Sequence, residues 1–378
     1  MSPHLTQGVS SVKAAVLHQL GGPFVVEDVE LLEPEPGEVR VRLAAAGICH
    51  SDWHMVQGDL RRPFPVILGH EGAGIVEALG PGTTAVQPGD HVILNWAPDC
   101  GHCFYCSRAQ PALCETFAPV RRSGTMLDGT TRFRLRGASV CQFSTLSTFA
   151  EFCIAPQEAC IPIHRDLPLD VAALVGCAVT TGIGAVTNTA QVRPGESIAV
   201  YGCGGVGLNI LQGAALVGAD PIIAIDQAPA KMEIARQFGA THALMASENS
   251  AAEVRALTGE RGADYVFEAI GLTAVQEAAF QAVRPGGALV IVGVAPIDST
   301  ARFSTFEMHV REKRILGCFY GSTNTRREFP RILDLYQADK IKLDELISQR
   351  YRLDQINEAY ANLLKGDARR GVIVFDGV

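Results

Sequence analysis

The chain is sparing with aromatic and charged residues: 7% of its 378 residues are Phe, Trp or Tyr, and 19% are Asp, Glu, Lys or Arg. A hydrophobic share of 47% excludes a disordered or fibrous chain and fits a globular α/β protein. Positive charge is not in surplus, since 32 basic against 40 acidic side chains give a formal charge of -8. That balance argues against a broad nucleic-acid or anionic-membrane surface and leaves a small molecule as the expected partner. From Met1 to Val12 no long apolar core follows a basic start, so no secretory signal is read there and a cytoplasmic location is expected. Two stretches carry no charge at all, Val171 to Val192 and Ser197 to Ala219. Each is long enough to raise a membrane span. The first, however, holds Thr180, Thr181, Thr187, Asn188, Thr189 and Gln191, and the second is broken by six glycines. Both therefore read as buried strand, loop and helix segments.

The length suggests two domains at about 150 residues each. The first part is dense in short β-like runs, such as Val39 to Leu43 and Gly74 to Ala78, separated by turns at Pro36-Gly37, Pro81-Gly82 and Pro88-Gly89-Asp90. These are expected to form a twisted sheet or barrel. After Pro194-Gly195 the texture changes to alternating strand and helix. Ser197 to Tyr201, Pro221 to Asp226, Asp264 to Ala269 and Ala288 to Val294 read as strands; Gly205 to Val217, Lys231 to Phe238 and Thr273 to Val283 read as helices. This is the order of a doubly wound parallel sheet, expected near residues 179–319. From Phe329 onward come helical patterns and a last β-like run, Gly371 to Phe375.

Between the first strand and helix of that alternation lies Gly202-Cys203-Gly204-Gly205-Val206-Gly207. Its glycines suit a tight turn, close approach of backbone amides to a pyrophosphate, and close helix–strand packing. Asp226 ends the next strand, where a carboxylate accepts hydrogen bonds from ribose hydroxyls and repels a 2′-phosphate, so NAD is expected rather than NADP.

Eleven cysteines in a chain expected in the cytoplasm point to metal ligands or core thiols sooner than to disulfides. Cys100, Cys103, Cys106 and Cys114 follow C-x2-C-x2-C-x7-C, the close thiolate spacing of a closed tetrahedral zinc site that fixes a loop and does no chemistry. Cys49, His70 and Cys177 are far apart in sequence, and spacing alone leaves them open between ligands and buried small residues.

GICHSDWH (47–54), GHEGAGIVEALGPG (69–82), CGHCFYCSRAQPALC (100–114), GTMLDGTTRFRLRG (124–137), LVGCAVTTG (174–182) and YGCGGVG follow one another along the chain. In this order they strongly resemble the zinc-dependent medium-chain alcohol dehydrogenases. The resemblance implies a β-rich GroES-like catalytic domain (1–178 and 320–378) and a Rossmann NAD domain (179–319). It implies catalytic zinc on Cys49, His70 and Cys177, structural zinc on the four-cysteine loop, Asp52 orienting His70, and Glu71 beside the metal. It places His50, Thr181, Lys231 and Arg370 at the cofactor. A proton route runs from Ser51 to His54, and Trp96, Phe143, Val294 and Phe319 line the substrate pocket. The activity implied is interconversion of primary alcohols and aldehydes, the zinc acting as Lewis acid and the nicotinamide taking hydride. The long segment between Cys114 and Phe149 resembles the dimeric branch, so a homodimer is expected over a tetramer.

Three other readings share these motifs. A formaldehyde dehydrogenase acting on a glutathione adduct is disfavoured, because Leu60 and Ala118 stand where that branch carries an acid and an arginine, and His54 is kept; Asp59, Arg121 and Arg122 leave another thiol open. A nicotinoprotein with permanently bound NAD has the same motifs. A non-enzymatic NAD-binding protein is disfavoured by Ser51, His54 and the complete zinc triad.

Overall fold

Short Val- and Ile-rich runs bounded by Pro-Gly turns build the first part of the chain, with Gly37 (φ 79°) and Gly89 (φ 88°) taking the left-handed conformation that these turns require. The computed structural model describes residues 9–366 and 369–376. Residues 1–8, on which part of the N-terminal reading rests, lie outside the described residues. The chain forms two units: one holds the described residues up to Cys177, Asn324–Leu333 and those from Leu343 on; the other holds Ala178–Thr323 and Asp334–Lys342.

In the first unit, Ser10–Leu17, Phe24–Leu31, Phe133–Leu135, Ala138–Gln142 and Val66–Ile67 close a barrel. A 7-stranded sheet runs Cys160–Ile163, His91–Leu94, Gly72–Leu79, Glu38–Gly47, Arg370–Val374 and Ile347–Tyr351, with Phe152–Pro156 also paired to Glu38–Gly47. The last strand of the chain lies antiparallel to the strand that leads into Cys49, with Val372 opposite Gly47. The short helix His50–Gln57 is held by ring packing, as Trp53 stacks on Tyr360 at 5.5 Å and Tyr360 on Phe24 at 5.2 Å.

The second unit carries a six-stranded parallel sheet in the order His242–Met245, Ile222–Asp226, Ile198–Tyr201, Ala263–Glu268, Val283–Ile291 and Arg314–Gly317. Ile198–Tyr201 and Ile222–Asp226 are buried along their whole length, as strands covered on both faces must be. Chain order reverses at Ile198–Tyr201, which opens the sheet at its C-terminal edge for a ligand.

The structure departs from the sequence reading in several places. The units divide after Cys177 and Thr323 instead of after 178 and 319, and Asp334–Lys342, expected in the catalytic part, goes with the sheet. The Lys342 amide donates to Gln212 Oε1 at 2.9 Å and its Nζ to the Gln237 carbonyl at 2.9 Å, which ties this segment to the second unit. The expected strand Ala288 to Val294 is Val283–Ile291, which starts earlier by running through Pro285-Gly286-Gly287. The first charge-free stretch is helical over Leu169–Ala190, with 83% of its most apolar window buried inside the protein. The second is, as expected, a strand, a turn and the helix Gly205–Val217.

Asp264 supports the sheet's N-terminal edge. It accepts from the Ser197 amide (2.8 Å), the Ser197 hydroxyl (2.5 Å) and Arg284 Nε (2.7 Å). Burial opposes its ionisation, but these donors outweigh it and hold the carboxyl below the ordinary value of 3.8. A folded-state value below the unfolded one gives stability that is complete above the ordinary value and is lost as pH falls through the folded value. Asp264→Asn is therefore expected to be less stable than the parent near pH 7, by about 1–2 kcal/mol, with the gap narrowing below about pH 4. Urea melts across that pH range check this, and a gap that does not narrow counts against it.

Candidate active site and metal centres

The loop that follows Asp99 folds back on itself so that the sulfurs of Cys100, Cys103, Cys106 and Cys114 all lie within 4.8 Å of one another. Cys103 Sγ is 3.4 Å from Cys106 Sγ and 3.9 Å from Cys114 Sγ, and the Cys100 amide points at Cys114 Sγ. Burial works against a Cys100 thiolate, yet hydrogen bonds from the Thr116 side chain and the His102 and Cys103 amides bring it down to about 6. Burial, and then the Cys103 contact, push Cys106 up to about 12. Thiols crowded this way hold protons against one another unless a cation takes their place, and four sulfurs at such separations suit a tetrahedral ion.

A second cluster is fully buried. One ligand atom each from Cys49, His70, Glu71 and Cys177 lies within 4.8 Å of the others. Cys49 follows the strand Glu38–Gly47, His70 and Glu71 precede the strand Gly72–Leu79, and Cys177 sits in a π-helical turn, Val175–Val179. The buried Asp52 carboxylate accepts from the Gly69 amide (3.0 Å) and meets His70 Nδ1 at 3.1 Å, which turns Nε2 toward the sulfurs. His70 Nε2 and Glu71 Oε2 are buried and have no hydrogen-bond partner. Two thiols and an orphaned imidazole nitrogen are the donor set of a zinc site that keeps a position open. A hydrogen bond from Cys177 is the main cause that carries Cys49 well below the ordinary thiol range, ahead of opposing burial and the charges of Arg370 and His70. Cys177 is raised in turn.

Arg370, which the resemblance implies at the cofactor, lies against Glu71. It is 3% exposed and its guanidinium grips Glu71, because a buried carboxylate needs a counter-charge. Its Nε remains without a hydrogen-bond partner. Burial raises Glu71 to about 7 even against Arg370. Long-range contacts of this kind carry no local sequence signal.

Around the cluster, Ser51 Oγ is 3.5 Å from Cys49 Sγ. His50 is exposed at the start of the same helix. His54 Nδ1 meets Asp59 Oδ2 at 2.7 Å, a partner the sequence reading did not assign. The His70 ring is met edge-on by Phe143 (5.5 Å) and Trp96 (6.1 Å). Phe143 is locked by the Ser147 hydroxyl, which accepts from its amide at 2.9 Å and donates to the Ile67 carbonyl at 2.8 Å. Ser144, Thr145 and Ser147 all adopt positive φ there, strain that the packing around the ring sustains.

In the second unit the glycine loop has the form its sequence implies. A Cβ on Gly207 would stand 1.8 Å from the Gly202 carbonyl, Gly202 itself has φ 95°, and Gly204 faces open space. Gly205 and Val206 begin the helix Gly205–Val217, whose N-terminus suits a pyrophosphate. Asp226 accepts from the Cys203 amide (2.8 Å) and the Ala228 amide (3.0 Å) and pairs with Lys231 at 3.3 Å. Thr181 lies beside Gly182, which packs against the Val206 carbonyl. Val294 is 41% exposed next to Gly271, and Phe319, 42% exposed, precedes the turn Tyr320–Ser322. The first unit thus holds the metal ligands, the Ser51–His54 pair, Trp96 and Phe143, and the second holds the glycine loop, Thr181, Asp226, Lys231, Val294 and Phe319.

A buried thiol–imidazole cluster on a barrel unit and a glycine-cradled sheet unit define a metal- and dinucleotide-dependent oxidoreductase. Residues 35–165 match the alcohol dehydrogenase GroES-like domain, and residues 205–338 match the zinc-binding dehydrogenase domain. An NDMA-dependent alcohol dehydrogenase of Amycolatopsis methanolica is 42% identical over 96% of this chain and 98% of its own length. An alcohol dehydrogenase class-3 of Dictyostelium discoideum is 38% identical over 97% and 99%. Among solved structures, a benzyl alcohol dehydrogenase of Acinetobacter calcoaceticus superposes with a TM-score of 0.92 at 31% identity, covering 97% of this chain and 99% of that one. The chain belongs to the zinc-dependent medium-chain alcohol dehydrogenases, NAD-dependent enzymes acting on CH–OH donors.

Gly47 tests how tightly the first cluster is built. A Cβ there would lie 2.0 Å from Glu71 Oε2. Gly47→Ala is expected to displace Glu71 from Arg370 and to weaken zinc retention, read as faster metal loss to a chelator at unchanged far-UV circular dichroism. Unaltered metal loss would show that Glu71 is not held by this contact.

Proposed function

We propose that this enzyme interconverts primary alcohols, aliphatic, allylic or aromatic, with their aldehydes, using two zinc ions per chain, one catalytic and one structural. The reading is carried by the orphaned His70 Nε2, aimed at two thiols beside the rings of Phe143 and Trp96. Zinc at this site supplies Lewis acidity toward an alcohol hydroxyl, and NAD supplies the hydride acceptor. Cys49, His70 and Cys177 hold the metal, and Asp52 fixes the imidazole that faces it. Glu71, neutralised by Arg370, adds no net charge to the open position. Phe143 and Trp96 keep water from the His70 side and offer an apolar wall that suits a flat aromatic or apolar tail. Ser51 Oγ relays the released proton toward His54. With Nδ1–H donated to Asp59, His54 Nε2 is the accepting nitrogen. The glycine loop and Asp226 bind NAD, and Asp226 disfavours a 2′-phosphate.

A second reading, in which NAD stays bound and hydride passes to another acceptor, is supported by the NDMA dependence stated in the name of the Amycolatopsis relative. Oxidation of a thiol adduct is named for a Paracoccus denitrificans relative, an S-(hydroxymethyl)glutathione dehydrogenase 38% identical to this chain, but Leu60 and Ala118 weigh against glutathione here. A homodimer is supported by the edge strand Arg314–Gly317, which pairs on one side only among the described residues, and by exposed Phe306 and Val310 just before it.

Two experiments test this function. Zinc-loaded protein should carry two zinc ions per chain by elemental analysis, Cys49→Ser should carry one, and added NAD should be reduced by benzylic, allylic and aliphatic primary alcohols. Turnover only with NDMA and no added NAD would favour the bound-cofactor reading, and turnover of no alcohol with either acceptor would defeat the function. Asp59→Ala is expected to lower kcat about fivefold, the loss of roughly 1 kcal/mol of orientation, with KM for the alcohol little changed. An unchanged kcat would remove Asp59 from the proton route.

A further inference from the structure

The two buried arginines are each neutralised by carboxylates: Arg132 by Glu38 and Asp128, and Arg370 by Glu71. Arg62 is different. Its guanidinium lies over the Phe143 ring, 5.5 Å from the centroid, and Nη1 is shielded from solvent with no hydrogen-bond partner among the described residues. Its titratable neighbours are Arg122, which repels it, and the Cys141 thiol, which burial raises above the ordinary value and keeps protonated. Burial and then Arg122 bring Arg62 down to about 10. In a chain with 40 acidic side chains, a desolvated arginine facing another arginine in place of a carboxylate is a charge left uncompensated. The ring it covers is the one that meets His70 at 5.5 Å, so the guanidinium stands one aromatic ring away from the metal cluster. Pro63, next in the chain, packs near Gly124 and Cys141, which fixes the turn carrying Arg62 against the helical turn Val120–Ser123 that carries Arg122.

We propose that Arg62, backed by Arg122, is an anion-binding subsite that takes the carboxylate of an alcohol substrate while its hydroxyl lies at the Cys49–His70–Cys177 cluster. The proposal rests on the alcohol dehydrogenase reading and narrows it to carboxylate-bearing primary alcohols. The Arg62 guanidinium and the His70 ring each lie 5.5 Å from the Phe143 ring and so at most about 11 Å from one another, a span within which one benzene ring carrying both groups fits. Arginine suits this task because its planar fork matches a carboxylate, and Arg62 is half-buried, with part of its side chain open to solvent beside the shielded Nη1. Phe143 serves both ends, as a wall for the substrate's ring and as the platform that orients the guanidinium.

The probes are para-hydroxymethylbenzoate, its neutral methyl ester and benzyl alcohol, used with zinc- and NAD-loaded protein. Calorimetric binding is read separately from turnover. The carboxylate is expected to bind about ten- to a hundredfold more tightly than the ester, a preference that Arg62→Met abolishes and Arg62→Lys restores in part. The ratio of kcat/KM for the carboxylate over benzyl alcohol is expected to fall by the same factor in Arg62→Met. Equal binding of carboxylate and ester by the parent protein overturns the subsite whether or not the variants fold, and so does a preference that Arg62→Met leaves intact. Binding of the carboxylate with that preference, but without oxidation of either alcohol, upholds the subsite and overturns the alcohol dehydrogenase function instead.

Discussion

Neutralising charge without water is the constraint on which the rest of the first unit depends. Glu71 and Asp52 are 0% exposed, Arg370 and His70 3%, and two thiols lie among them. Removing one member of such a buried pair costs about 3 to 5 kcal/mol, because the partner is left as an uncompensated charge. The backbone is arranged to prevent that. The Gly47 amide donates to the Glu71 carbonyl at 2.8 Å, and the Ile48 amide to the Gly371 carbonyl at 2.9 Å. Three segments distant in sequence are thereby fixed at hydrogen-bond precision, and the metal ligands at Cys49 and His70 inherit that precision. The last strand, Arg370–Val374, is in this sense part of the active site although it supplies no ligand.

The same physics sorts the cysteines. Those gathered in the two clusters have other thiols, amides or cations for neighbours. Cys153 and Cys160 lie in the apolar core of the first unit, where the Cys160 thiol reaches the Pro156 carbonyl at 3.7 Å, and burial pushes Cys153 up to about 12 and Cys160 beyond the ordinary range. Cys203 in the glycine loop is likewise raised to about 12, and Cys318, which accepts from Thr189 Oγ1 at 3.3 Å, is raised as well. Protonated and enclosed, these act as small apolar side chains. Sequence alone assigned them no role, and their surroundings show why none is needed.

What was legible in the sequence is what local chemistry writes down. The glycine fingerprint, the four-cysteine loop and the Pro-Gly turns are each set by residues close together in the chain, and they fold as their spacing implies. The grouping of Cys49, His70 and Cys177 was legible only through resemblance, because two loops and a helix of the fold bring it about. Other features had no signal to read. His242–Met245 is a short edge strand with two exposed and two half-buried residues and so lacks the apolar run that marks its neighbours. Val283–Ile291 passes through Pro285-Gly286-Gly287, which local rules read as a turn. The grip of Glu71 on Arg370 and the pairing of His54 with Asp59 are side-chain choices, settled by burial and by which donor lies within reach.

The apolar helical stretch Leu169–Ala190 shows how composition misleads when burial is ignored. By length and hydropathy it passes for a membrane span, yet it lies largely inside the protein and presents Cys177 to the metal cluster. A helix in that position has no use for charged side chains, since each would need a partner of its own in a region already crowded with Glu71, Arg370 and two thiols. Its one reactive group is a cysteine, which is neutral when protonated, and as a thiolate its charge would be offset by the cation it binds. The π-helical turn at Val175–Val179 widens the helix where that sulfur must project. Asp170, the one charged side chain of the stretch, lies in its first turn and pairs with Arg350 at 2.6 Å; the absence of charge from Val171 to Ala190 is a consequence of carrying a metal ligand through a buried core.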